Sequence, residues 1–175
     1  MRRVAILLAA SCWGGVFASE PLFRAIDQHS ERAALELVER GQADLNARNA
    51  NGDTPLHRAV ETGMPRLAKS LLAAGADARA RTKNGETALH LAALHPGPEF
   101  VDLLLAAGAE PRVQNADGES PLHWAALSGH IVVVQRLLAR GADARTKNRK
   151  GLSARDYARS QGHDAIAKLL ERFDQ

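Results

Sequence analysis

The stretch DGESPLHWAALSGH, Asp117–His130, decides the fold because the chain repeats its pattern. The octapeptides DTPLHRAV and ETALHLAA follow Gly52 and Gly85, and the related ESPLHWAA follows Gly118. Together with Gly151, these glycines recur every 33 residues. A fixed period of this length predicts a solenoid of stacked units, each too small to be stable alone.

Within each unit the residues predict a turn followed by a helix. The dipeptides Asn51-Gly52, Asn84-Gly85 and Asp117-Gly118 predict tight hairpin turns whose two central residues take positive φ. Pro55 and Pro121 suit the first position of a helix, where a missing N–H costs nothing. The hydroxyl residue before that position predicts a helix N-cap, because its oxygen can accept a backbone N–H; these residues are Thr54, Thr87 and Ser120.

A second helix in each unit is predicted by apolar residues at helical spacing, which would face a core. They are Leu67, Leu71 and Leu72, then Val101, Leu104 and Leu105, then Val134, Leu137 and Leu138. Glycine follows each stripe and predicts a left-handed helix end, at Gly75, Gly108 and Gly141. Pro65 and Pro98 predict the start of the second helix in two units.

The units run over about 22–51, 52–84, 85–117, 118–150 and 151–175. In its period and in its TPLH and LLxxGAD motifs the chain closely resembles the ankyrin repeat, over about Leu22 to Leu170. The resemblance implies an all-α repeat solenoid, with a β-turn finger and two antiparallel helices per unit. Three full units would be flanked by two divergent capping units. Members of this family are, as a group, protein-binding scaffolds without catalysis.

Residues 1–18, MRRVAILLAASCWGGVFA, predict a signal peptide that is cleaved after Ala18. Arg2-Arg3 gives the basic start, and Val4–Ala10 is the short apolar run. A membrane-spanning helix needs about 20 apolar residues, so no membrane insertion is expected after cleavage. The alternative is a lipoprotein with Cys12 as the lipidated residue.

Cleavage would leave a mature domain of residues 19–175, in the periplasm or outside the cell. The alanine- and arginine-rich composition with such a signal is typical of bacteria. Cys12 is the only cysteine, so the mature chain would have no disulfide framework. The formal charge of +3 includes Arg2 and Arg3, which leaves +1 after cleavage and disfavours nucleic acid as a partner.

The TPLH histidines, His57, His90 and His123, have a structural and a functional interpretation. In the first, each imidazole bonds the hydroxyl and backbone of its own turn. In the second, they form a metal ladder. Two ring nitrogens on one zinc ion lie about 2.0–2.1 Å from it, whereas stacked helices lie about 8–10 Å apart. The structural interpretation is therefore favoured, and the same holds for His130 and His163.

Catalysis is not expected. Ser120 lies near His123, but no residue orients the imidazole as a base. The chain has no phosphate-binding loop, HExxH or paired-cysteine motif. We therefore predict no enzyme activity and no cofactor.

In ankyrin-repeat proteins, partners usually contact the finger tips and the exposed side of the first helices. By register, the partner-binding residues predicted here are Asp53, Glu61, Thr62, Lys83, Glu86, Leu94, His95, Glu119, Trp124, Leu127 and Ser128. Leu94 and Leu127 either form an exposed apolar patch or pack on each other and on Trp124. Trp124 either packs between first helices, which is favoured, or anchors a partner.

The leading hypothesis is a non-catalytic, monomeric scaffold of the bacterial envelope or periplasm that binds another protein through its concave face and finger tips. One alternative is a small-molecule, metal or haem binder that uses His95 in the groove. A third hypothesis is an effector that is exported to a host cell.

Overall fold

A computed structural model describes residues 20–173, which form ten α-helices in five helix–turn–helix pairs. The pairs are α1 (Glu20–Asp27) with α2 (Glu31–Glu39), α3 (Pro55–Glu61) with α4 (Pro65–Ala73), α5 (Ala88–Ala92) with α6 (Glu99–Ala106), α7 (Pro121–Ser128) with α8 (Ile131–Ala139), and α9 (Ala154–Ser160) with α10 (Asp164–Glu171). The only other regular element of the described residues is an isolated antiparallel bridge, Lys147–Ser153. The predicted signal peptide, including Cys12, lies outside them.

The helix pairs stack side by side in two layers. The first helices contact one another in the order α1, α3, α5, α7, α9, and the second helices in the order α2, α4, α6, α8, α10. The main contacts of each pair are with its own neighbours in the stack. This arrangement confirms the predicted all-α repeat solenoid.

The core lies between the two layers and between successive pairs. One fully buried leucine recurs in each of the first helices α1, α3, α5 and α7, at Leu22, Leu56, Leu89 and Leu122. The predicted stripes of the second helices also face this core, but their last residues are only half-buried, at Leu72, Leu105 and Leu138. Full burial of a leucine side chain stabilises a fold by about 1.5–3 kcal/mol. No helix of the described chain has the length and apolar character needed to span a membrane.

The predicted N-caps are confirmed. Thr54, Thr87 and Ser120 occupy the N-cap position with extended backbone angles, and each forms a capping box with the histidine three residues later. Pro55 and Pro121 occupy the first helical position. Each cap fixes the angle at which the chain passes from a hairpin into a first helix.

The prediction for the hairpin turns is wrong in one respect. Gly52 has φ of +84°, but Asn51 does not take positive φ, and the same is true of the next two copies. Gly52 N–H bonds Asn49 O at 3.0 Å, which gives a turn that ends on a left-handed glycine. The Asn49 side chain decides this geometry, because its Oδ1 accepts the N–H groups of Asn51 and Asp53, each at 2.9 Å. Asn115 and Asn148 act in the same way in later fingers.

The turn between α5 and α6 departs from its counterparts. Pro65 begins α4 as predicted, but Pro98 is the N-cap of α6, which begins one residue later at Glu99. The helix α5 also ends early, because Pro96 disfavours the helical conformation of His95. The N–H groups of Leu94 and His95 instead donate to the carbonyls of Leu91 and Ala92, three residues earlier, and form short turns.

Arginines connect the loops that follow successive second helices. The Nε–H groups of Arg79, Arg112 and Arg145 donate to the carbonyls of Gly108, Gly141 and Phe173 at 2.9, 2.7 and 2.9 Å. Each acceptor lies just beyond a second helix, where helical carbonyls lack partners. These arginines therefore have an architectural role that the sequence interpretation missed.

The turn at Gly129 gives a prediction on stability. Its φ is +79°, and a Cβ there would lie 2.6 Å from the His163 ring, whereas a Cβ at Gly141, with φ of +89°, meets nothing within 4 Å. Gly141→Ala should lower the free energy of unfolding by about 1–2 kcal/mol, the cost of a left-handed alanine. Gly129→Ala should lower it by about 1 kcal/mol more, because the displaced ring loses its hydrogen bond to Leu127 O.

Urea denaturation of both variants and of the wild-type chain measures the difference. Equal losses of stability in the two variants would contradict the role given to the His163 ring.

Candidate protein-binding surface

The candidate surface, called the groove face here, consists of the exposed side of α3, α5 and α7, the turn residue Leu94 after α5, and hairpin residues 51–53, 84–86 and 117–119. A depression in it lies between α3, α5 and the first two of these hairpins. Its lining includes Asp53, Arg58, Glu61, Glu86 and Leu91. Capping boxes fix the hairpins to the helices, so the surface is built on ordered elements.

The structure separates the predicted partner-binding residues into two groups. Leu94 and Leu127 are 45% and 38% exposed, so the apolar-patch interpretation of these two leucines is favoured over packing. Glu61 and Lys83 are also exposed. The others are half-buried, namely Asp53, Thr62, Glu86, His95, Glu119, Trp124 and Ser128.

The TPLH histidines link each repeat to the next. Thr54 donates to His57 Nδ1 from its hydroxyl at 2.9 Å and from its N–H at 3.2 Å. Nδ1 is thereby an acceptor, so the ring proton lies on Nε2, which approaches Glu86 O at 3.4 Å. His90 and His123 repeat the arrangement, with Nε2 at 3.0 and 3.2 Å from a carbonyl of the following repeat. The structural interpretation is confirmed, and the bond to the next repeat is additional to it.

A second row of histidines crosses the turns between the helices. His95 Nε2 lies 2.8 Å from Val60 O, and His130 Nε2 lies 2.9 Å from Leu94 O. His163 Nε2 lies 3.1 Å from Leu127 O. The bonds of His130 and His163 therefore fix the backbone of the two exposed leucines.

The contacts of His95 hold neighbouring repeats together, and they weaken the hypothesis that His95 binds a metal, haem or small molecule. Its Nε2 is engaged by Val60 O, and its ring packs on Phe100 with centroids 4.8 Å apart. Among the residues that the structure describes, no group of three or more His, Cys, Asp or Glu side chains could hold a metal ion.

Glu119 organises a polar cluster in the groove face. Trp124 Nε1–H donates to Glu119 Oε2 at 2.8 Å, the Tyr157 hydroxyl donates to Oε1, and Asn148 donates to that hydroxyl at 3.0 Å. Burial alone would raise the pKa of Glu119, but the hydrogen bonds from Tyr157, Trp124 and Asn115 outweigh it, so the pKa is lowered. Burial and the Glu119 carboxylate raise the pKa of Tyr157 to about 12.

Trp124 packs as favoured from the sequence. Its ring meets His90 of the preceding repeat edge-on, with centroids 5.4 Å apart, and Tyr157 meets His123 in the same way at 5.6 Å. Tyr157 was missed as a member of this surface. The 33-residue register that places Trp124 after Arg58 and Leu91 also places Tyr157 after Trp124, and this signal could have found it.

Carboxylates without a cationic partner remain in the groove face. Arg58 donates to Asp27 Oδ1 at 3.2 and 2.7 Å and also pairs with Glu61. Within residues 20–173, Glu86 and Asp117 form no ion pair. Burial and the nearby carboxylates raise the pKa of Glu86, since its negative charge is poorly compensated.

Comparison with known proteins places the chain in a family. The sequence model of ankyrin repeats in three copies matches residues 22–113 and 89–174. The chain belongs to the ankyrin-repeat family. A comparison with curated protein sequences gave no match. Ankyrin-repeat proteins are in general scaffolds that mediate protein–protein interaction without catalysis, and the groove face occupies the surface on which such proteins usually bind partners.

The buried histidines predict an acid-labile ankyrin domain. Burial lowers the pKa of His57, His90 and His123, that of His90 to about 4 from 6.5. The unfolded chain therefore binds these protons first as pH falls. The stability that the neutral imidazoles contribute is fully present above about pH 6.5 and is lost as pH falls, in the case of His90 down to about pH 4. His90 alone accounts for about 3 kcal/mol of this loss.

Urea unfolding between pH 7.5 and pH 5 tests this expectation. In His90→Gln, stability at pH 7.5 should be lower, but it should fall less steeply with pH. A free energy of unfolding that stays constant from pH 7 to pH 5 would exclude the proposed role of the buried imidazoles.

Proposed function

We propose that this ankyrin-repeat protein is exported and binds a partner protein in the bacterial cell envelope or periplasm through the groove face. The observation that carries the binding part is the pair Leu94 and Leu127. They occupy the same register of neighbouring repeats, and both remain exposed. The equivalent residues of the repeats on either side are polar, at Glu61 and Ser160.

The groove face is suited to binding with little rearrangement. Carbonyl groups of Leu94 and Leu127 accept hydrogen bonds from His130 and His163, so the backbone that carries the exposed side chains is fixed. Hairpins are held by side-chain hydrogen bonds such as those of Asn115. A preformed surface avoids the ordering cost that a mobile one incurs on binding.

The remaining hypotheses from the sequence receive less support. A metal or haem ligand at His95 would have to rely on Nδ1, because Nε2 is engaged by Val60 O. The Ser120 hydroxyl bonds His123 Nδ1 at 2.9 Å in the same way as the threonine caps of other repeats, which is an architectural arrangement. Export to a host cell remains compatible with the predicted signal peptide, and no observation favours it over the envelope.

A substitution of the two leucines tests the binding surface. Leu94→Gln/Leu127→Gln removes apolar contacts without adding charge and should abolish retention of the partner from an envelope extract. The matched control is Ile131→Gln/Val132→Gln, because these residues are 37% and 46% exposed but lie on α8 in the other layer. The control should retain the partner. Loss of the partner from both variants, or from neither, would argue against the groove face.

The N-terminus of the protein as it occurs in the cell tests the export part. Cleavage after Ala18 predicts that the mature chain begins at Ser19, in the envelope or medium fraction. Mass spectrometry of the N-terminal peptide gives the answer. A lipid on Cys12 would support the alternative, and an intact N-terminus on cytosolic protein would refute export.

A further inference from the structure

The charges of the protein are unevenly arranged. The groove face and its hairpins carry carboxylates from three consecutive repeats, at Asp53, Glu61, Glu86, Asp117 and Glu119. Its central cation, Arg58, is engaged by Asp27 and Glu61. Lys83 is a cation at the tip of one finger. The groove face is therefore acidic although the whole chain has a formal charge of +3.

Three arginines of the same repeats form hydrogen bonds away from the groove carboxylates. Arg79 and Arg112 donate to carbonyls beyond the second helices, and Arg81 donates to Gln114 O in the next repeat. They hold the stack together at the loops and do not neutralise the groove carboxylates. Glu86 accepts a hydrogen bond from the Thr82 hydroxyl at 3.4 Å, but within residues 20–173 neither Glu86 nor Asp117 has a cationic partner.

Acidic and apolar groups occur on the same first helices and fingers of the groove face. Glu86 and Asp117 belong to neighbouring hairpins, whereas Leu94 lies in the turn just after α5 and Leu127 lies near the end of α7. A complementary partner must therefore present cationic and apolar side chains together. Complementary charge also steers association and excludes acidic competitors.

The repeat spacing limits the form of such a partner. Packed helices lie about 8–10 Å apart. A polyproline II segment rises about 3.1 Å per residue with three residues per turn, so every third side chain faces the same way about 9 Å further along. A segment of this kind presents one cationic residue to each successive hairpin.

We infer that the groove face binds an extended segment of a partner protein in which lysine or arginine recurs every third residue beside an apolar residue. The cationic groups contact Glu86 and Asp117, and the apolar side chains contact Leu94 and Leu127. This inference rests on the proposed function and adds to it the chemistry of the partner.

Peptide binding tests the inference. The probe is a fluorescein-labelled peptide, (Pro-Leu-Lys)4, and the matched peptides carry serine or glutamate in place of lysine. Fluorescence anisotropy with the 19–175 chain should show binding of the lysine peptide that weakens as salt is raised. The serine peptide should bind at least tenfold more weakly, and the glutamate peptide should not bind.

Charge-neutral variants locate the contact. Glu86→Gln/Asp117→Asn should weaken binding of the lysine peptide about five- to tenfold, as expected for two partly exposed ion pairs. The control Glu39→Gln/Glu99→Gln removes the same charge from exposed positions on second helices and should bind as the wild type does. Circular dichroism confirms that both variants fold.

Several results would overturn the inference. They are equal binding of the three peptides, equal weakening by the two double variants, or absence of binding by the lysine peptide. Salt-sensitive self-association that Arg149→Ala/Lys150→Ala abolishes would also overturn it, since the groove would then bind a second copy.

Competition separates this inference from the proposed function. If the captured partner is lost in Leu94→Gln/Leu127→Gln but the lysine peptide does not displace it, the groove binds a protein of other chemistry. Displacement of the partner by the lysine peptide and not by the serine peptide supports both.

Discussion

The bond from each buried TPLH imidazole to a carbonyl of the following repeat is the interaction on which the stack depends. One ring satisfies its own helix cap through Nδ1 and reaches the neighbour through Nε2, as His90 does with Glu119 O at 3.0 Å. Without the neighbour, a buried N–H would lose its acceptor and the apolar face of the repeat would be exposed. In the pair α9 and α10, Asp156 replaces the imidazole, and its carboxylate accepts the N–H of Ser153 at 2.8 Å.

The sequence was sufficient for features that depend on residues close together in the chain. The cap at Thr54 and the His57 bond within it follow from spacing alone, because the partners are three residues apart. The bond to Glu86 O could not be read in the same way, because a backbone carbonyl 29 residues away carries no side-chain signal. The positive φ predicted for Asn51 was wrong because the Asn49 side chain determines the hairpin geometry. The helix start predicted at Pro98 was wrong because the His95–Pro98 turn differs from its counterparts.

At the candidate binding surface, the 33-residue register predicts where a side chain lies on its repeat but not what that side chain contacts. Glu119 was predicted to face a partner, yet both of its carboxylate oxygens accept hydrogen bonds from the protein itself. Leu94 and Leu127 could have packed together or remained exposed, and only the three-dimensional arrangement decides between these. The difference is physical: a side chain's position on a repeat follows from the period, whereas its free surface depends on which residues occupy the adjacent repeats.

The hydrogen bonds between repeats also bear on how this protein reaches its native state. They join residues between 28 and 38 positions apart, so the ends of the chain never have to meet. The entropy lost in closing each such loop is the same at every step, and it does not grow with the length of the stack. Folding can therefore begin at the well-matched central repeats and spread outward one repeat at a time. In the reverse direction, a terminal helix pair can open while the groove between the central repeats stays intact.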